Sequence, residues 1–432
     1  MIDDMRHECI LRFLLLGAVV LSGCAAPAAV PSPTPAAQPT VAASPTLAAQ
    51  PTAVPSPTPA AQPAAAATPT VVMATPALLP PETPPAGATD EFRTDFSRHI
   101  VPYREILSGG PPKDGIPAID APRFVGVKEA DGWLHNLDPV VFVRVGADAR
   151  AYPVQILTWH EIVNDVVGSV PLAVTYCPLC NTAIAFERTF DGRVLDFGTT
   201  GRLRFSNLIM YDRQTETWWQ QGTGLALVGE HAGRRLTFYP ATIVSWQAFR
   251  EAHPGGRVLS RDTGAQRRYG ANPYVGYDNL NTRPFLYDGP ATPEQLPQLA
   301  RVIGVELNGE AVAYPYDELV HVRVVNAVLG GEPIVVFWAP GTASALDAPA
   351  IAEGRDVGAA NAFSRRLGQR VLTFKFDGAR FVDEQTGSAW NLFGQAVDGS
   401  LSGQALTPLV AVNHFWFSWA AFKPDTRVWK AR

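Results

Sequence analysis

The strongest constraint on the fold is that a long stretch of this chain matches a later stretch of the same chain. The segment "ARAYPVQILTWHEIVNDVVGSVPLAVTYCPLCNTA", which begins at Ala149, aligns without a gap with "AVAYPYDELVHVRVVNAVLGGEPIVVFWAPGTASA", which begins at Ala311. Further positions agree downstream: Asp212, Thr215, Trp219 and Ser245 correspond to Asp383, Thr386, Trp390 and Ser418. Self-similarity of this length is typical of a structural unit that occurs more than once. The sequence therefore predicts two tandem related copies of one unit, packed together.

The local pattern within each copy indicates the fold class. Runs such as "VVFVRV" and "AIAFERTF" alternate apolar with polar residues, and Gly-containing turns separate them. A period of two is typical of strands with one buried face. We therefore expect an α+β fold that is predominantly β. The expected divisions are residues 1–24 as a lipoprotein signal peptide, 25–88 as a disordered tether, 89–285 as the first copy with an N-terminal extension, and 286–432 as the second copy.

The N-terminus carries an export signal. The apolar run in "ILRFLLLGAVVLSGCAAP" is too short for a membrane span, which needs about 20 apolar residues, and it ends in L-S-G-C. This ending resembles the bacterial lipobox, which implies cleavage before Cys24 and lipidation of its sulfur. The alternative is an ordinary secretory signal with a chance cysteine. We predict a protein held at the extracytoplasmic face of the cell membrane through lipidated Cys24.

A low-complexity segment follows the signal. From Ala25 to Pro81 there is no charged residue, and Ala, Pro and Thr dominate. Such a segment has too little apolar surface to offset the entropy of ordering, so we expect a disordered linker.

The whole chain has a net charge of −5 and no basic block, which argues against nucleic acid as a partner. The expected partners are the membrane and an unidentified envelope component or small ligand.

Two cysteines in the first copy are the strongest sign of chemistry. Cys177 and Cys180 form a C-x-x-C motif, whereas the aligned positions of the second copy are Ala339 and Thr342. His160 is likewise replaced, by Val322. If both copies fold alike, the architecture does not need the two cysteines or the histidine.

The segment "PVQILTWHEIVNDVVG" predicts a helix in which Ile156, His160, Val163 and Val167 share one face. A strand after this helix, joined at Gly168, would bring His160 near Cys177. Two thiolates and an imidazole, with the Met210 thioether as a candidate fourth ligand, would then form a site for copper or zinc. The alternative for His160 is a core histidine satisfied by hydrogen bonds.

Two other interpretations of the cysteine pair stay open. C-x-x-C spacing supports thiol–disulfide exchange, and exported proteins meet oxidising conditions. The pair can also be a structural disulfide or two inert thiols. The polar neighbours in sequence are Glu161, Asn164 and Asp212, of which the last two recur in the second copy and so favour structural roles. No nucleophile–base pattern points to an enzymatic reaction.

A rival hypothesis is a non-catalytic binding or scaffold module of the cell envelope. It assigns Cys177 and Cys180 to a structural disulfide. It also predicts a surface groove lined by aromatic side chains such as Trp218, Trp219 and Tyr211.

Several ordered motifs together resemble one protein family. They are "SGGPPKDGIPAID", "AYPVQILTWHEIVNDVVG", "VTYCPLCNTAIAFER", "FGTTGRLRFSNLIMYDRQTETWWQQ" and "YGANPYVGYD". The resemblance covers most of the chain from about Ile106 to Asp278 and, more loosely, the second copy. They resemble the bacterial and archaeal family catalogued as domain of unknown function 3179, here in an exported lipoprotein form. The resemblance implies that the segments of His160, Cys177 and Cys180 belong to the family signature. It implies no reaction.

Overall fold

The structure, a computed structural model, describes residues 76–431. Strand residues make up 39% and helical residues 13%, so the prediction of a predominantly β fold is confirmed. We call residues 89–285 the first half and residues 286–431 the second half. The predicted signal peptide, Cys24 and most of the predicted tether lie outside the described residues.

The helices of residues 76–431 are short. Helices α1 to α6 are Ala88–Glu91, Val127–Ala130, Val154–His160, Trp246–Ala252, Tyr316–Val322 and Trp416–Phe422, and the 3₁₀ helices are Tyr103–Glu105, Pro178–Cys180 and Ile351–Glu353. Helix α4 is capped at its start by the Ser245 hydroxyl, which accepts the Ala248 N–H at 3.2 Å. None of these helices is long and apolar enough to cross a membrane.

The first half forms four sheets. Its strands β1 to β16 are Ile106–Ser108, Phe124–Gly126, Pro139–Val145, Asp148–Pro153, Ile162–Val167, Val170–Cys177, Thr182–Glu187, Thr189–Phe190, Arg193–Val194, Phe197–Arg204, Asn207–Asp212, Trp218–Gln220, Ala226–Val228, Phe238–Tyr239, Thr242–Ser245 and Arg257–Leu259. The sheet orders are β1-β10-β11-β12-β13, β14-β7-β6-β5, β15-β3-β4-β16-β2 and β8-β9. Among the strands of residues 89–285, only β4 and β16 pair in parallel.

The second half repeats this order of elements with fewer strands. Strands β17 to β29 are Arg301–Leu307, Glu310–Pro315, Val324–Leu329, Glu332–Ala339, Ala359–Ser364, Arg366–Leu367, Arg370–Val371, Phe374–Phe376, Phe381–Asp383, Ala389–Trp390, Ala396–Asp398, Ala411–Phe415 and Arg427–Val428. The sheet orders are β28-β17-β18-β29, β19-β20-β21, β24-β25-β26-β27 and β22-β23. As in the first half, the parallel pair, here β18 and β29, is the one that holds the strand before the helix.

The two halves pack through corresponding strands. Strand β15 of the first half lies against β21 of the second, and β28 of the second half lies against β7 of the first. The Thr242 hydroxyl donates to the Ala360 carbonyl at 3.1 Å. The Thr182 hydroxyl lies 2.9 Å from Nδ1 of His414. The same two kinds of strand therefore meet twice, with the halves exchanged.

One secondary-structure prediction was wrong. The helix predicted through Val167 ends at His160, and Ile162–Val167 is a strand. Glu161 between them has a φ of +57°, which stops the helix because a left-handed residue cannot continue it. The β-branched residues that follow favour the strand. His160, Val163 and Val167 therefore do not share one helical face.

The end of the predicted tether contacts the body. The Leu79 N–H donates to the His99 carbonyl at 2.8 Å, and Nε2 of His99 lies 3.0 Å from the Pro80 carbonyl oxygen. Ala88 is fully buried. The described part of the predicted tether is therefore attached to the first half from Leu79 onward.

A long connection crosses between the halves. Residues 260–300 link β16 to β17, and all of them are described, yet they contain no helix or strand. Part of this connection runs along the second half: Gly276 N–H donates to the Asp347 carbonyl at 2.8 Å and Tyr277 N–H to the Leu346 carbonyl at 3.1 Å. Loops of this length inside a compact domain are usually functional or linker segments.

Candidate functional site

The C-x-x-C motif forms a tight turn between two central strands. Strand β6 ends at Cys177, Pro178–Cys180 form one 3₁₀ turn, and β7 begins at Thr182. Pro178 suits the first position of the turn because its φ is already fixed. Asn181 closes the turn at a φ of +50°, which an Asn adopts more readily than most residues. The predicted strand and turn are confirmed.

The two sulfur atoms lie together in the interior. Both cysteines are free thiols, and Cys180 is close enough to Cys177 to affect the pKa of its thiol. Cys177 is 2% exposed and Cys180 is fully buried. Burial, followed by the neighbouring Cys180, raises the pKa of Cys177 well above its usual value. At neutral pH the Cys177 thiol is therefore protonated in the resting site.

N–H groups point at both sulfurs. Nδ2 of Asn207 lies 3.2 Å from Sγ of Cys180, and the backbone N–H groups of Leu208 and Cys180 act on Cys177 to lower its pKa. Such donors favour the ionised form of a thiol, so they oppose part of the effect of burial. The site is therefore equipped to stabilise a thiolate once one forms.

The donor Asn207 is held by an unusual hairpin turn. Phe205 and Ser206 join β10 to β11 and have φ values of +53° and +62°. Two-residue hairpin turns of type I′ need positive φ at both positions, which normally selects Asn or Gly. Here the turn carries Phe and Ser, and its Ser206 carbonyl accepts from the Cys180 thiol at 3.4 Å. Backbone conformations of this cost persist where the surroundings hold them, often at functional sites.

Asn207 belongs to a buried amide network. Its Oδ1 accepts from Nε2 of Gln220 at 2.6 Å and from the Gly222 N–H at 2.8 Å. Its Nδ2 also lies 3.2 Å from Oε1 of Gln221. These bonds fix the orientation in which the amide N–H faces Cys180. Sequence reasoning missed Asn207, although the "SNLI" that directly precedes Met210 lies in a segment that the family motifs include.

Glu161 is the ionisable residue that the structure adds to the thiols. Its backbone carbonyl accepts the Tyr176 N–H at 2.8 Å, which places Glu161 beside the end of β6. The residue is 7% exposed, and within residues 76–431 its carboxyl group makes no hydrogen bond. Burial, and then the charge of Cys177, raises the pKa of Glu161 well above its usual value. Arg323 has the corresponding place in the second half, with a φ of +63°.

His160 makes its contacts elsewhere. Its Nδ1 lies 2.7 Å from the Pro117 carbonyl oxygen, and its Nε2 lies 2.6 Å from the Tyr269 hydroxyl. Both ring nitrogens therefore have partners other than sulfur. In the part of the chain that the structure describes, no three or more His, Cys, Asp and Glu side chains are grouped closely enough to hold a metal ion. The structure thus brings together two of the three predicted core residues and gives the third a structural setting.

Met210 belongs to the apolar core around the thiols. It is fully buried and belongs to the same apolar cluster as Cys177 and Cys180. That cluster also contains Phe415 and Phe417 from the second half. The apolar cluster that contains the thiols is therefore built from both halves.

Asn164 and Asp212 have architectural roles that recur in the second half. Asn164 donates to the Phe197 carbonyl at 2.8 Å and accepts its N–H at 2.9 Å, as Asn326 does with Phe374. Asp212 accepts from the Thr215 N–H at 2.7 Å and from the Trp219 indole at 2.9 Å.

A second-half histidine that sequence reasoning missed reaches the motif. The Thr182 hydroxyl, next to His414, also donates to the Cys180 carbonyl at 3.1 Å. His414 is 2% exposed. Burial, and then the charge of Lys423, lowers the pKa of His414 to about 3, so the ring is neutral at physiological pH. It positions the strand after the cysteines and adds no charge to the site.

The prediction of a surface groove lined by aromatic side chains is wrong. Trp218 and Trp219 are fully buried and Tyr211 is 3% exposed. Their rings pack inside the first half because each strand of this sheet has an apolar face toward a core. They cannot line a surface groove for a partner.

Comparison with known proteins gives a family. A family model described as a protein of unknown function (DUF3179) matches residues 113–426. The chain belongs to the DUF3179 family. The matched range contains the cysteine turn, Glu161, Asn207 and the residues of the second half that enclose the thiols. No curated protein and no solved structure matches this DUF3179 chain.

The chemistry open to this DUF3179 site follows from its two sulfurs. Adjacent thiols can be oxidised to one disulfide, or can bind one soft metal ion as thiolates. Either event needs loss of the thiol protons, which burial opposes and the three N–H donors favour.

Proposed function

We propose that this DUF3179 protein is a lipid-anchored extracytoplasmic protein whose first half carries a thiol redox centre, Cys177–Cys180. The observation that carries the proposal is the pair of adjacent free thiols with N–H donors directed at both sulfurs. A redox centre needs only these two sulfurs. It does not depend on His160, whose nitrogens are engaged by Pro117 and Tyr269.

The reaction is exchange with a partner disulfide. The thiolate of Cys177 attacks one sulfur of the partner, a mixed disulfide forms, and the first partner sulfur leaves as a thiolate that takes up a proton. The thiolate of Cys180 then attacks Sγ of Cys177, the internal disulfide forms, and the second partner thiol leaves. Two electrons and two protons pass to the partner, and the reverse sequence reduces Cys177–Cys180.

The second half acts as a structural partner in this proposal, and the two halves are tandem related copies. Support comes from the shared element order and the reciprocal packing of strands. The turn that corresponds to Cys177–Cys180 begins with Ala339 at the end of β20 and includes Thr342. A duplicated unit in which one copy gained sulfur chemistry explains why the thiols differ while Asn164 and Asp212 recur.

A metal centre is the second candidate, favoured by the burial of Met210 in the same cluster as both sulfurs. Two thiolates with a thioether nearby form a soft ligand set that suits Cu(I). Zinc usually takes four ligands, so it would need groups beyond these sulfurs. Cu(I) bound by the wild-type protein and weakened in Met210→Leu would support this candidate.

Anchoring through Cys24 is part of the proposal and rests on the L-S-G-C sequence. Expression of the full chain in a bacterial host with a radiolabelled fatty acid should label the protein, and Cys24→Ala should abolish the label. Label that persists in Cys24→Ala contradicts lipidation at this residue.

The redox proposal is tested by equilibrating the protein with thiol–disulfide buffers and counting free thiols by mass spectrometry. We expect reversible oxidation within the range of redox proteins, about −120 to −270 mV. A pair that stays oxidised below about −300 mV is a structural disulfide, and a pair that never oxidises is inert. Cys180→Thr, which copies the second half, is the control.

A further inference from the structure

We propose that the Tyr277 side chain is a gate over Cys177 and Cys180, and that a partner reaches the thiols only when this side chain rotates away. The inference rests on the proposed function, because thiol exchange needs access that the resting structure denies. Cys177 is 2% exposed and Cys180 is fully buried. A macromolecular disulfide cannot attack or be attacked by sulfurs in that position, so some covering group must move.

Tyr277 lies directly on the cysteine turn. Its hydroxyl donates to the carbonyl of Leu179, the residue between Pro178 and Cys180, at 3.0 Å. Its ring packs against the apolar cluster that contains both sulfurs. Burial, and then the charge of Cys180, raises the pKa of Tyr277. Tyr277 is only partly buried, while the sulfurs beneath its cluster are closed to solvent.

The backbone around Tyr277 is fixed, so the side chain is the part that can move. The N–H groups of Gly276 and Tyr277 donate to carbonyls of the second half at 2.8 and 3.1 Å. Asp278, 1% exposed, is held by Arg301 at 2.6 Å and by Arg355 at 2.8 Å. These anchors keep the Cα of Tyr277 in place while χ1 changes, as a hinge does.

The closed position is held by a small number of bonds. Besides the bond to Leu179, the Tyr277 hydroxyl accepts the Phe285 N–H at 3.3 Å. Phe285 itself is 44% exposed, and Val275 and Leu280 on the same connection are 55% and 45% exposed. These three side chains are already largely in solvent. A latch of two hydrogen bonds over a packed ring can open without unfolding the body.

The test is the rate at which the reduced, folded full chain reacts with a thiol reagent. Tyr277→Ala removes the gate and should react at least tenfold faster than wild type. Tyr277→Phe keeps the ring but loses the latch, and should react several-fold faster. Tyr239→Phe is the matched control, because Tyr239 donates in the same way to the Arg144 carbonyl, at 3.1 Å, on another part of the first half; its rate should equal that of wild type.

Two further measurements separate a gate from general loosening. The gain in Tyr277→Ala should be larger for a bulky maleimide than for iodoacetamide, because a gate selects by size. The rate in wild type should change little with urea below the unfolding transition, because a local opening exposes little surface. Equal rates in wild type and in folded Tyr277→Ala, or a steep urea dependence in wild type, would overturn the gate. Neither readout needs a redox-active pair, so failure of the proposed function remains a separate result.

Discussion

Glu161 is a buried acid that the fold of the second half does without, since Arg323 takes the corresponding left-handed position there. A carboxyl group placed in the interior without a hydrogen bond destabilises the fold, and the cost grows when the group ionises. Glu161 lies next to Cys177, so the protonation state of the carboxyl group changes how readily the Cys177 thiol ionises. This effect gives a reason for a buried acid that destabilises the fold. At this scale the site consists of two thiols, one acid and the amide of Asn207.

The pH dependence of stability follows from the raised pKa of Glu161. Above the ordinary pKa of 4.5, the unfolded chain ionises Glu161 while the folded protein still holds the proton. The free energy of unfolding therefore falls as pH rises from that value to the raised pKa of the folded state. Glu161→Gln should raise the free energy of unfolding at pH 8 by about 1–3 kcal/mol, with a smaller gain at pH 5.

Urea unfolding at the two pH values measures this effect, with the exposed Glu384→Gln as the control. A stability gain that is the same at both pH values would mean that ionisation of Glu161 is not its source.

At the scale of elements, the sequence predicted the strand and turn around Cys177 and Cys180 but misjudged the helix before them. The spacing of Ile156, His160 and Val163 is compatible with a helix but does not show where the helix ends. The helix ends because Glu161 has a positive φ, and a Glu in the sequence does not predict that conformation. The hairpin at Phe205 and Ser206 was missed for the same reason, because neither residue is a usual choice for positive φ.

The turn built on Asp212 could be predicted better, because its counterpart at Asp383 is visible in the sequence. Asp383 accepts from the Thr386 N–H at 2.6 Å and from the Trp390 indole at 3.0 Å, as Asp212 does from Thr215 and Trp219. Both carboxylates are fully buried. Because the same Asp occurs in both halves, we assign it a structural role. The residues of the thiol site, in contrast, occur in the first half only.

Asp212→Ala and Asp383→Ala should therefore destabilise the protein by similar amounts. Each change removes a buried acceptor and leaves an indole N–H and a turn N–H without a partner, at a cost of about 3 kcal/mol. Thermal unfolding of the two variants provides the comparison, and the reactivity of the thiols in the folded state should not change. If Asp212→Ala alone altered the redox potential of Cys177–Cys180, Asp212 would belong to the site after all.

At the scale of the whole molecule, the thiols lie where the halves meet. Phe415 and Phe417 belong to the apolar cluster that contains the sulfurs, and His414 contacts Thr182 in the strand after Cys180. The aligned sequences predicted two packed units but not which surfaces would meet, because that depends on side chains far apart in the chain. Hence the sequence singled out the cysteines, while the groups from the second half and Tyr277 required the structure.

The decisive prediction for the whole molecule is that the architecture survives loss of both sulfurs. The double variant Cys177→Ala, Cys180→Thr installs the residues that the second half carries at Ala339 and Thr342. Since both are small and the corresponding strands pair alike, the free energy of unfolding should fall by no more than about 2 kcal/mol. Redox activity and any Cu(I) binding should vanish in the same protein. Circular dichroism with urea unfolding measures the first part, and thiol-buffer titration the second. A variant that fails to fold would show that Cys177 and Cys180 are structural, whereas a folded variant that still exchanges disulfides would place the chemistry elsewhere.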